Sequence, residues 1–253
     1  MSERQVVDTD TAQEFMSQIL DVVDVERLAG IATELEAKSA WFQERLTSAA
    51  LASMTSDGFE ELLGRVFATR GKTRKTLLAM PFEDVRAWMA DLLYGDDELP
   101  VRFQRFADHL DGVADNLRID FASELLHFND PERHWLWTRW MWDPKTKTGS
   151  VPLVTYAEYD LGGETAAEVY MKIGRAVAFV HEVGGAAGFQ TISRSIFGTD
   201  VFLCCVYVVY AYTVLKMRMT QEFNKVMPGL TEFCRRLLGL HRKGPQVAAA
   251  PGA

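Results

Sequence analysis

Residues 201–215 read VFLCCVYVVYAYTVL, fifteen positions without a charge, bracketed by Asp200 and Lys216. A helix needs about 20 apolar residues to cross the roughly 30 Å of hydrocarbon in a bilayer, and this run stops short of that. Met217, Arg218 and Gln221 carry the helix on as a polar one. A helix that is apolar on every face belongs at the centre of a domain, covered by its neighbours. The run therefore reads as a buried core helix, capped at its start by Asp200, without membrane contact.

The rest of the chain supplies the covering helices. Asp8 to Asp10 provide N-caps for a helix carrying Phe15, Ile19, Leu20 and Val23, and a weaker helical spacing runs on through Leu28, Ile31, Leu35, Trp41 and Phe42. Asp57 caps a run through Phe67 that Gly71 ends, and Pro81 opens a helix holding Val85, Met89 and Leu92. Val101 to Leu110, Leu117 to Phe128, Thr165 to Val183, and Pro228 to Gly239 complete the set, with one more helix from Pro131 to Asp143. Val151 to Tyr159 is the only extended stretch, and a lone short strand has no partner here. The expected fold is all-α, a multi-helix orthogonal bundle with at most one short β element near 151–159. Residues 1–143 form an acidic helical region, 144–163 a connecting loop, 164–241 a helical region around the apolar helix, and 242–253 a disordered tail; the whole can be a single domain.

Charge and cysteines narrow the setting. The 253 residues carry a net charge of −8. Residues 1–163 hold 29 acidic and 17 basic groups, whereas 164–253 hold 6 acidic and 10 basic. An acidic N-terminal part disfavours nonspecific DNA binding, which depends on Lys and Arg, and the asymmetry can orient docking onto a protein partner. Cys204, Cys205 and Cys234 are odd in number and form no Cys-x-x-Cys pair, and the N-terminus has no signal-peptide pattern. A reducing cytoplasmic location is expected.

No complete catalytic or metal-binding motif stands out. Gly71-Lys72-Thr73 has the ending of a phosphate loop, but Val66 occupies the place of its first glycine. The basic cluster around it (Arg70, Lys72, Arg74 and Lys75) reads as a solvated loop or as a grip on phosphate or an acidic surface. Glu124 and His127 have the spacing of half a di-iron site, without the second half such a site requires. With His134 and Arg139 they could belong to an enzyme site assembled from scattered residues. No metal or cofactor is expected.

The stretch from His134 to Trp142 is the least ordinary, with Trp135, Trp137, Trp140 and Trp142 inside eight residues. On a helix, Trp135 and Trp142 would lie about 20° apart, with Trp137 and Trp140 on roughly the opposite side. Such a helix is covered on two faces, either by the core or by another molecule. Trp and Arg dominate interface energetics, so Trp135, Trp137, Arg139, Trp140 and Trp142 are the expected interface.

Two resemblances accompany these patterns. Leu110-Asp111-Gly112-Val113, Ala122, Leu125-Leu126-His127-Phe128 and Pro131-Glu132-Arg133 resemble helix-hairpin-helix DNA glycosylases. Trp137 stands about where that family's catalytic Asp would be, and no Lys starts the second hairpin helix. The likeness implies a related helical shape and nucleic-acid binding without the glycosylase chemistry. Asp200-Val201-Phe202-Leu203 through Met219-Thr220-Gln221-Glu222-Phe223-Asn224, with the Trp-rich segment, resembles uncharacterised accessory proteins of heterodisulfide-reductase-like sulfur-oxidising systems. That likeness implies a non-catalytic cytoplasmic accessory subunit of a redox assembly. Its metals and flavin would sit on partners, since an iron–sulfur cluster takes about four well-spaced Cys.

Overall fold

The computed structural model describes residues 6–69, 71–110, 112–218 and 229–240. Among these residues it is all-α, with thirteen α-helices, one 3-10 turn and no strand. The expected tail at 242–253 and the segment 219–224 lie outside the described residues.

The caps explain many of the helix starts. Helix α1 (Thr9–Leu20) begins at Asp8, whose carboxylate accepts the Thr11 amide at 3.1 Å. Helix α2 (Val25–Arg45) begins at Asp24 in the same way. The short α3 (Ser48–Ala52) and α4 (Ser56–Leu63) are capped by Thr47 and Thr55, so Asp57 sits in the first turn of α4 rather than at its cap. That helix ends at Gly64, and Gly71, with φ of 59°, instead precedes α5 (Lys72–Leu78). The basic cluster expected as a loop is thus largely helical. Pro81 opens α6 (Phe82–Tyr94), and Pro100 lies in the first turn of α7 (Leu99–His109).

Helix α8 (Asp115–Asn129) is followed by a non-helical stretch, a single turn α9 (Val151–Val154), then α10 (Ala166–Glu182), capped by Thr165. The extended reading of 151–159 fails at its start because Pro152 stands in the first turn of α9 and favours helix there. Only Thr155 pairs as a strand residue would, bridging to Val7. Next come the short α11 (Gly184–Ala187), the long α12 (Ile196–Arg218) and α13 (Leu230–Leu237).

The apolar run lies in α12, which starts four residues before the expected cap. Asp200 is therefore inside the helix and fully buried. Positions 201–206 and 208 are fully buried against α1, α2, α10 and α13. By length and composition the stretch Ile196–Val214 could cross a membrane, but 61% of its apolar window is covered by the chain's own core. Helices from both sides of 144–163 share one apolar cluster: α10 packs on α7, with Tyr170 stacked on Phe103 at 4.3 Å, and α12 packs on α2.

Candidate ligand-binding site

Helix α8 carries Asp120, Glu124 and His127 at i, i+4 and i+7, which places them on one face. Each is at most 1% exposed. A buried ionisable group is costly unless it is paired and hydrogen-bonded. Glu124 meets Lys38 of α2 at 3.1 Å and accepts the amides of Phe67 at 3.1 Å and Ala68 at 3.3 Å. Lys38 also donates to the Leu238 carbonyl and lies 3.8 Å above the Phe128 ring. His127 donates from Nδ1 to the His134 carbonyl at 2.8 Å, and its Nε2 stands 2.8 Å from Asp200 Oδ2 with one proton between them. These two residues tie α8 to α2 and α12.

Asp120 is different. Its nearest charge is Arg139, with Nε 3.4 Å from Oδ2, yet neither atom has a hydrogen-bond partner. The Arg139 side chain is 41% exposed and that of Asp120 only 2%. Burial pushes the Asp120 carboxyl well above the usual carboxylate range; Arg139 opposes the shift and nearby Glu124 adds to it.

The tryptophan stretch from His134 to Trp142, expected as a helix, has no regular secondary structure through 138 and then turns. Its backbone groups bond elsewhere. The Trp137 amide donates to Ser123 Oγ at 2.6 Å, the His134 carbonyl is taken by His127, and the Trp135 carbonyl accepts from Tyr170 Oη at 3.2 Å. Met141 and Trp142 amides both return to the Thr138 carbonyl. The chain then bridges Asp143 with Thr148, and Ser150 and Val151 donate back to the Trp140 and Met141 carbonyls at 3.0 Å. Gly149, at φ 151°, is required in this loop, because a Cβ there would collide with the Met141 carbonyl. The Trp137 indole N–H donates to the Trp142 carbonyl at 2.9 Å and locks the fold of the segment.

Between this loop and α8 lies a cavity of about 500 Å³ lined by Ile119, Asp120, Trp137, Arg139, Trp142 and Lys145, among others. Eight buried side-chain polar atoms lack a partner among the described residues, and six belong to Asp120, Thr138, Arg139, Trp140, Trp142 and Ser150. Three of these six, Asp120, Arg139 and Trp142, line the cavity; buried polar groups are nearly always hydrogen-bonded, so their concentration there marks it out. A larger groove of about 860 Å³ runs between α7 and α10, where two of the cations on its walls are engaged, Arg105 with Asp91 and Asp97, and Lys172 with Asp160.

Of the residues expected at an interface, Trp137, Trp140 and Trp142 are buried in the chain's own core, Trp135 is half-buried, and Arg139 reaches the surface. The two-faced helix is replaced by a segment without regular secondary structure because α8 and α10 side chains take its backbone bonds. Arg74 of the basic cluster is engaged with Glu60 at 2.7 Å, while Arg70 and the side chain of Lys72 lie outside the described residues. Glu124 and His127 are buried links between helices, and half-buried His134 meets His127 only through its backbone carbonyl. Cys204, Cys205 and Cys234 meet between α12 and α13, with the sulfurs of Cys205 and Cys234 3.6 Å apart. Sequence reasoning missed Asp120 and Lys145; the signal for Asp120 was its place on the same helix face as Glu124 and His127. No family model, curated protein or solved structure matches this chain.

Proposed function

We propose that this protein binds a small molecule in the cavity between α8 and the tryptophan loop. One observation carries the reading: Asp120 is almost wholly buried, its carboxyl oxygen stands in an ion pair 3.4 Å from Arg139 Nε with neither atom making a hydrogen bond, and both residues line a cavity of ligand size. Ligand sites are concave and mostly apolar, with a few convergent polar groups. A carboxyl strongly perturbed by burial beside a specific charge, in a cleft, is a candidate for such a group. Trp137 and Trp142 supply flat apolar wall, and Trp142 adds an unpartnered indole N–H. Docking onto a partner protein, as an accessory subunit, keeps the charge asymmetry as its support, since most of the indoles that suggested it are buried.

The test is binding of the fluorescent probe 1-anilinonaphthalene-8-sulfonate, read by energy transfer from the lining indoles. Saturable binding at one site is expected, and it should be lost in Ala114→Trp, which fills the mouth of the cavity from an exposed position. Absence of saturable binding, or equal binding by the variant, contradicts the proposal.

A further inference from the structure

The cavity's polar groups differ in sign and kind. Arg139 Nε–H, 3.4 Å from Asp120, and Trp142 Nε1–H are donors that make no hydrogen bond, and Lys145 lines the same space. The lining acids, Asp120 and Asp143, equal the lining bases, Arg139 and Lys145, in number. Asp143 accepts the Lys145 amide at 2.9 Å, and Glu124, the next acid along α8 from Asp120, is held by Lys38 and two backbone amides. The charged groups around Asp120 are therefore Arg139 from the loop, Glu124 on its own helix neutralised by Lys38 of α2, and Asp143 and Lys145 at the loop end of the cavity.

We infer that the cavity takes a flat aromatic carboxylate, whose ring lies against Trp137 and Trp142 and whose carboxylate meets Arg139 and shares a proton with Asp120. The inference rests on the cavity being a ligand site. Of the lining atoms that make no hydrogen bond, two are donors, Arg139 Nε–H and Trp142 Nε1–H, and one is an acceptor, Asp120 Oδ2; that balance favours an anion, and hydrogen bonds from a guanidinium to a carboxylate are among the strong ones. A cationic ligand would face Arg139 and Lys145. A ligand carboxylate beside Asp120 cannot remain ionised together with it at no cost, because two close carboxyls share one proton. Burial already holds Asp120 towards its protonated form, with Arg139 as the opposing charge. A protonated Asp120 then donates to the ligand carboxylate. Above the pH at which free Asp120 ionises, binding must take up one proton, so affinity falls by up to about ten-fold per pH unit.

The experiment is calorimetric titration of the full chain with three probes sharing one ring system: 2-naphthoate, 2-naphthamide and 2-naphthylmethylammonium. Naphthoate should bind at least about ten-fold more tightly than the other two. Arg139→Gln should remove that preference, and Arg139 is exposed enough for the change to leave the fold intact. The naphthoate affinity of the natural protein should be flat at low pH and then fall with proton uptake, and the break should vanish in Asp120→Asn. Equal or tighter binding of the amide or the ammonium overturns the anion assignment while leaving the cavity a ligand site. A missing break, or one that persists in Asp120→Asn, overturns the proton-sharing role of Asp120. No binding of any probe overturns both this inference and the ligand-binding reading beneath it.

Discussion

Replacement of Asp120 by Leu should stabilise the protein, and the reasoning is specific to this position. A polar group buried without a hydrogen bond costs about 1–3 kcal/mol. Asp120 Oδ2 makes no hydrogen bond and meets Arg139 Nε only as an ion pair at 3.4 Å, on a side chain 2% exposed. Leu removes that carboxyl, and its extra volume enters the adjoining cavity rather than displacing packed neighbours. Arg139, 41% exposed, can turn its guanidinium to water. The expected gain is about 1–3 kcal/mol, and in a chain of this size each kcal/mol moves Tm by roughly 2–4 °C, so Asp120→Leu should melt about 5 °C higher. The sign with pH also follows. A carboxyl whose folded pKa lies above its unfolded value binds more protons in the native state, so its contribution weakens as pH rises from the unfolded pKa through the folded one. The advantage of Asp120→Leu should therefore grow with pH across that window. Thermal and denaturant unfolding at several pH values measure both effects. A loss of more than about 1 kcal/mol, within the ordinary range for a structural residue, would refute the reasoning, because it would make Asp120 a partnered core group like Glu124.

The neighbouring positions should behave in the opposite way. Lys38→Met leaves Glu124 buried without its cation and should cost about 3–5 kcal/mol in denaturant unfolding, with part of the loss recovered by adding Glu124→Gln. Gly149→Ala should destabilise the protein by at least about 1 kcal/mol and weaken probe binding, since the new Cβ meets the Met141 carbonyl and moves the loop that carries Arg139 and Trp142. Burial lowers the His134 pKa to about 4 from an ordinary 6.5. A histidine with a depressed folded pKa supports the fold above its unfolded value and loses that support as pH falls, so His134→Gln should flatten the pH–stability curve between those two values.

The legibility of this chain divides along a physical line. Where local chemistry decides, sequence was enough: Asp8, Pro81 and Thr165 mark helix starts because capping and φ restriction act within a few residues. The uncharged run at 201–215 implied a buried central helix, although its true start at Ile196 turned Asp200 from a cap into the buried partner of His127. The tryptophan stretch misled because periodicity assumes that a backbone bonds to itself. Here Ser123, His127 and Tyr170, from α8 and α10, take the bonds that a helix would use, and no local pattern announces that. The site was half legible. Arg139, Trp137 and Trp142 stood out, but as a surface; Asp120 became significant only when the loop folded over it, although its alignment with Glu124 and His127 on α8 was available from spacing alone.

The six tryptophans offer the most direct measurement, because their indole N–H signals are separate reporters in a heteronuclear NMR titration. On adding 2-naphthoate, the Trp142 indole N–H and the Arg139 Nε–H should shift saturably and together, while those of Trp41 and Trp88, which lie away from the cavity on α2 and α6, stay in place. Saturable shifts confined to Trp41 or Trp88, or no shift at Trp142 and Arg139, would contradict the claim that this cavity is the protein's ligand site.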